Sequence, residues 1–203
     1  MLDELIDSLN LIINQTKMNS SILATIVIIL WIIFFFSRVD RRLLLLGIQP
    51  RHLAGLPGII FSPFLHLNVN HLFFNCIPLI VLSNFILING LYYYLTVTVI
   101  ITLLTGIGVW CFAKPGLHVG ASGVITGYWG FLVLNLYQTG TLTTIILGLL
   151  SVYYFAGIFF GIFPGKKGVS WESHFFGLLA GLATSYLFTN YPNYVQMLMP
   201  ISS

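Results

Sequence analysis

Six long apolar runs separated by short polar links dominate this 203-residue chain. They cover residues 21–37, 71–89, 92–113, 121–137, 142–163 and 172–189. Each is close to the roughly 20 residues a helix needs to cross a bilayer core of about 30 Å. A helix satisfies its own backbone in lipid, so the pattern predicts an all-α polytopic membrane protein with six transmembrane helices. Charge points the same way. Only 6% of the residues are charged, against about 25% in a soluble domain. That excludes a soluble enzyme, a disordered chain and a nucleic-acid binder, which would carry a basic face. Cys76 and Cys111 sit inside apolar runs and read as small buried hydrophobes.

Residues 1–20 form a short N-terminal segment in which Leu2, Leu5, Ile6, Leu9, Ile12 and Ile13 recur at helical spacing. This predicts an interfacial helix. Its acidic start (Asp3, Glu4, Asp7) and the lack of a small-residue cleavage site argue against a secretory signal. Residues 21–190 then form one six-span domain, and residues 191–203 a short tail. The stretch 38–70 is long enough to be expected to hold structure of its own.

With six spans, the starts of the second, fourth and sixth lie on one side of the membrane. They carry His71, Ser122 and His174. Polar groups in a span are costly and suggest function. Gly123 and Gly127 give the fourth span a small-residue face for close helix approach. His174, Gly177 and Gly181 lie at i, i+3 and i+7, one stripe of the sixth span. Taken singly, Ser122 and His174 read as structural residues. An imidazole brought close to a serine hydroxyl by those two faces is the minimum for a nucleophile and its base.

The string HLNVNHLFFN supplies His66, His71 and Asn75. His71 and Asn75 are i and i+4, neighbours on one helix face, and both can donate to an anionic oxygen. A metal site from His66, His71 and His174 is a rival reading, but no carboxylate accompanies it. The acidic residues are Asp3, Glu4, Asp7, Asp40 and Glu172. Glu172 lies about 200° round the helix from His174. The residues therefore suggest a Ser–His dyad whose imidazole is oriented by packing, an aromatic ring or water.

HLNVNHLFFN, GASG and SHFFGLLAG, in this order, resemble the signature of the rhomboid intramembrane serine proteases. GIQPRHLAGLPGIIFSPFLH before the second span is similar to the first loop of many bacterial members, and the match covers roughly residues 47 to 185. The resemblance implies a six-helix rhomboid bundle with the fourth helix at its centre. It implies Ser122 as nucleophile and His174 as general base and acid, with His71, Asn75 and the Ser122 N–H as oxyanion donors. His66 matches a histidine near the active site. The implied activity is hydrolysis of peptide bonds in or beside transmembrane segments of substrate proteins, with no metal, nucleotide or other cofactor. The implied partners are those substrates and the lipid bilayer, and the implied location is a bacterial cytoplasmic membrane.

Thr126 stands where many members carry a tyrosine that stacks on the histidine. Pro164-Gly165-Lys166-Lys167-Gly168 suits a cap over the site, and Phe73, Phe74 and Trp171 suit a lateral gate or a lipid-boundary anchor. Seven of the eight Lys and Arg lie in loops on the active-site side. The positive-inside rule would make that side cytoplasmic, whereas the resemblance implies cytoplasmic termini and a site facing outward. Two rivals compete with a protease: an inactive rhomboid-like protein that binds membrane clients, and a small-molecule transporter. The first would lack Ser or His. The second would need a polar path across the whole bilayer.

Overall fold

A computed structural model of the chain describes residues 2–164 and 170–198. Four residues of the expected cap, 165–168, lie outside that range. The helices are α1 (Leu2–Val39), α2 (Gly58–Phe61), α3 (Val69–Leu87), α4 (Leu91–Phe112), α5 (Ser122–Thr139), α6 (Leu142–Phe155), α7 (Trp171–Asn190) and α8 (Pro192–Leu198). Short 3₁₀ turns at Arg41–Leu46, Leu53–Gly55 and Ser62–Phe64 fill the first loop, and another, Ala156–Ile162, continues α6.

The six predicted spans fall on α1, α3, α4, α5, α6 with its 3₁₀ extension, and α7. Among the described residues, four stretches are long and apolar enough to cross a membrane: Leu2–Val39, Val69–Leu87, Leu91–Phe112 and Leu142–Ile162. α5 and α7 are the two left out, and for α5 the reason is physical. α5 is covered by protein on most sides, with Gly123 through Leu132 all buried. A helix enclosed in that way needs small and polar packing residues rather than a lipid-facing aliphatic coat. The outside of the bundle is correspondingly apolar, with Phe35, Phe36 and Phe112 widely exposed, while Ser83, Ser151, Thr184 and Ser185 are fully enclosed. This is the pattern of a multi-pass membrane protein.

α5 packs most extensively on α7 and also touches α3, α4 and α6. Glycine makes the approach possible. A Cβ on Gly177 would fall on the Gly123 carbonyl, and one on Gly181 on the Gly127 carbonyl. The two glycine faces expected to meet are thus in backbone contact.

The first loop is an ordered layer laid on α4. The Arg51 guanidinium donates to the Cys111 and Ala113 carbonyls at 3.2 and 2.8 Å, which caps the end of α4. The Trp110 indole donates to the His52 carbonyl at 3.0 Å. α1 runs unbroken from Leu2 to Val39, so a single helix spans both the expected interfacial segment and the first span.

Candidate active site

Three helix starts build the site. α3 opens at Asn68, whose side chain accepts from the His71 N–H at 2.8 Å. That cap sets His71 in the first turn and Asn75 one turn below it. α5 opens at Ala121 with no side-chain cap, so the N–H groups of its first turn, beginning with Ser122, face outward without an intrahelical acceptor. α7 opens at Ser170, whose hydroxyl accepts from the Ser173 N–H at 3.2 Å, and His174 follows within the first turns.

Gly120 fits α5 against α3. Its φ of +121° is one that residues with a side chain rarely adopt, and a Cβ there would stand 2.6 Å from Cε1 and Nε2 of His71. Backbone and imidazole can approach this closely only over a glycine. The Gly120 N–H donates to the Ser62 carbonyl at 2.9 Å, which ties the loop to the layer beneath.

Ser122, His174, His71 and Asn75 all line one open cavity of about 860 Å³. Phe74 and Trp171 stand on its wall, whereas Phe73 does not line it. His66 is enclosed just behind, with 1% of its surface exposed. The Asn75 side-chain N–H donates to His66 Nε2 at 3.1 Å. The His66 and His71 rings meet edge-on, their centroids 5.0 Å apart. Burial first, and the neighbouring His71 second, push the His66 pKa down to about 4. The ring is therefore neutral near pH 7 and can accept from Asn75.

His174 is held by a group with no sequence signature. Its Nδ1–H donates to the main-chain carbonyl of Gly161 at 3.0 Å. That carbonyl belongs to the 3₁₀ turn Ala156–Ile162, where the tightened end of α6 leaves terminal carbonyls open. A Cβ on Gly161 would fall on the same imidazole nitrogen. With the proton on Nδ1, Nε2 is left as the free base. Glu172, although buried and on the cavity wall, makes no bond to His174. Thr126 turns back on its own helix and donates to the Ser122 carbonyl at 2.8 Å. It does not take the place of a stacking ring. Among the described residues no hydrogen bond joins Ser122 to His174, and such contacts commonly tighten only with substrate in place.

His118 likewise belongs to no motif in the sequence. It lines the same cavity and bonds to Ser170 at 2.8 Å. Its one visible signal was its place four residues before Ser122, inside a linker that otherwise reads as a turn.

A family model of the Rhomboid domain matches residues 52–191. The chain belongs to the rhomboid family, whose domain is a helical membrane bundle associated with intramembrane proteolysis. An uncharacterized protein of Mycobacterium tuberculosis and one of Mycobacterium bovis are each 36% identical over 173 residues, covering 80% of this chain and 72% of the relative. An uncharacterized protein of Mycobacterium leprae is 34% identical over 151 residues, covering 70% of this chain and 59% of the relative.

Proposed function

We propose that this protein is an active intramembrane serine endopeptidase that cuts membrane-protein substrates in or next to a transmembrane segment. The observation that carries the reading is the shared cavity. Ser122, His174, His71 and Asn75 come from three helices and line it together, with the His174 ring fixed in the tautomer that leaves Nε2 free.

Catalysis follows from these positions. His174 Nε2 takes the proton from the Ser122 hydroxyl as Oγ attacks the scissile carbonyl. The Gly161 carbonyl holds the ring in place and stabilises the imidazolium that forms. Charge collects on the carbonyl oxygen, where the Ser122 N–H at the uncapped end of α5, the Asn75 amide and His71 can donate to it. His66 fixes the Asn75 amide from behind. The proton on Nε2 then passes to the leaving amine. Water, deprotonated by the same nitrogen, hydrolyses the acyl-enzyme and restores Ser122. A helical substrate hides its carbonyls in its own hydrogen bonds, so the segment must unwind at the cut. Small and helix-weakening residues there make that easier.

By likeness to bacterial members of the family, the protein is assigned to a cytoplasmic membrane, with its termini inside and its cavity facing outward.

The test is labelling of the detergent-purified protein with a fluorescent phosphonate, alongside Ser122→Ala and His174→Ala. Label on the wild type alone is the expected result. An unlabelled wild type that also leaves a generic transmembrane substrate uncut would favour a client-binding role instead.

A further inference from the structure

His118 lies between α4 and α5, and its backbone is anchored first. Its N–H donates to the Ile48 carbonyl at 2.9 Å and its carbonyl accepts from the Ile48 N–H at 3.0 Å, one antiparallel bridge to the ordered first loop. Both ring nitrogens are then used. Nε2 lies 3.0 Å from the Lys114 carbonyl, which can only accept, so Nε2 carries the proton. Nδ1 lies 2.8 Å from the Ser170 hydroxyl, which donates to it when the single ring proton is on Nε2. With its own proton committed, Ser170 Oγ must accept. It does so from the Ser173 hydroxyl at 2.8 Å and from the Ser173 N–H at 3.2 Å. Every donor in this chain of bonds meets an acceptor and all of them run one way, the arrangement in which such bonds strengthen one another.

The chain joins the two segments that carry the dyad. His118 is four residues before Ser122, and Ser170, the cap of α7, is four residues before His174. Within the bundle, the glycine contacts set the distance between α5 and α7. At the cavity the His118–Ser170 bond supplies a further, polar tie. The glycine contacts run along the pair, Gly123 on Gly177 and Gly127 on Gly181, and the polar tie adds direction at the cavity end, where the dyad sits.

We propose that His118 is a positioning residue: through Ser170 it fixes the first turn of α7, and with it His174, relative to Ser122. This rests on the protease reading. His118 bonds to neither Ser122 nor His174, so its effect passes through the α7 cap.

The experiment is a double-mutant cycle on the full chain in detergent, with wild type, His118→Ala, Ser170→Ala and the double variant. It reads the rate of phosphonate labelling at Ser122, kcat and KM on a transmembrane substrate, and thermal unfolding. Each single variant should lower labelling and kcat by about 10- to 100-fold, because small misplacements of a base are costly, with KM within about twofold. The double variant should be no slower than the slower single variant, since both remove one bond. His118→Asn, which keeps an acceptor for Ser170, should recover part of the loss. Ser170→Ala approaches the bond from the α7 side, so the test does not depend on one variant folding. A labelled wild type with His118→Ala equally fast would overturn the proposal alone, as would single effects that multiply in the double variant. A wild type that takes no label would overturn the protease reading beneath it.

Discussion

Replacing Gly177 by alanine tests how packing deep in the bundle reaches the chemistry. The new Cβ would fall on the Gly123 carbonyl oxygen and stand 2.9 Å from its carbon. Carbon atoms pack best at about 3.5–4.0 Å, so α7 must move from α5 by on the order of 1 Å. Overpacking of this kind costs about 1–3 kcal/mol. Gly123 directly follows Ser122, and Gly177 lies three residues after His174, so the displacement opens the dyad itself. A misplacement of about 1 Å can lower a rate by roughly 100-fold. Gly177→Ala should therefore melt at a lower temperature and label with a phosphonate far more slowly. Gly157→Ala is the control, because a Cβ there meets nothing within 4 Å. A Gly177→Ala protein that melts like the wild type would refute the backbone contact. One that melts early but labels at full speed would refute the link between that contact and the dyad.

Ser122→Ala and His174→Ala should each abolish cleavage of a transmembrane substrate while the protein still inserts and purifies as the wild type does; cleavage by Ser122→Ala at the wild-type rate would end the nucleophile assignment. Asn75→Ala should slow turnover by about 10²–10³ in a kcat measurement. It should also cost about 1–3 kcal/mol of stability, because it leaves His66 Nε2 buried without its donor. The His66 pKa, lowered from 6.5 to about 4, makes stability depend on pH. The folded state resists a proton that the unfolded chain accepts, so stability is full above pH 6.5 and falls as pH drops toward about 4. Thermal melts across that range should show the loss in the wild type and less of it in His66→Gln. Tags on the two termini, probed with protease in intact cells, should both be protected; an accessible N-terminus would overturn the proposed orientation.

The helical bundle was legible because apolar run length and low charge leave a chain few other ways to fold. The α5–α7 contact was legible too, because glycines at helical spacing beside a serine and a histidine are visible in one dimension. Gly161 was not. Its contribution is a carbonyl, which every residue has, and only the tightening of α6 into a 3₁₀ turn aims it at His174. The long apolar run 142–163 gave no sign of that change of pitch. His118 was hidden for a related reason: its partners Lys114, Ile48 and Ser170 are brought together by loop geometry, not by periodicity. The lower apolarity of α5 is the reverse case, in which enclosure by protein weakens the apolar signal that marks a span.

α1 has a consequence for how the molecule sits in a bilayer. Its 38 residues make a rod about 57 Å long at 1.5 Å per residue, nearly twice the hydrocarbon thickness of about 30 Å. Upright, it cannot be contained. Its first half, with Asp3, Glu4 and Asp7 at the tip, must emerge into the headgroups or tilt to lie along them. That half is also fastened to the bundle, through Ser8 to Thr143 at 3.1 Å and through Thr16 and Asn19 to Asn84 at 2.8 and 3.3 Å. The protein is therefore lopsided, with the ordered first loop beside its cavity at one end and a braced mast at the other. A thicker or thinner membrane would act on the mast first and reach the cavity only through the helices between.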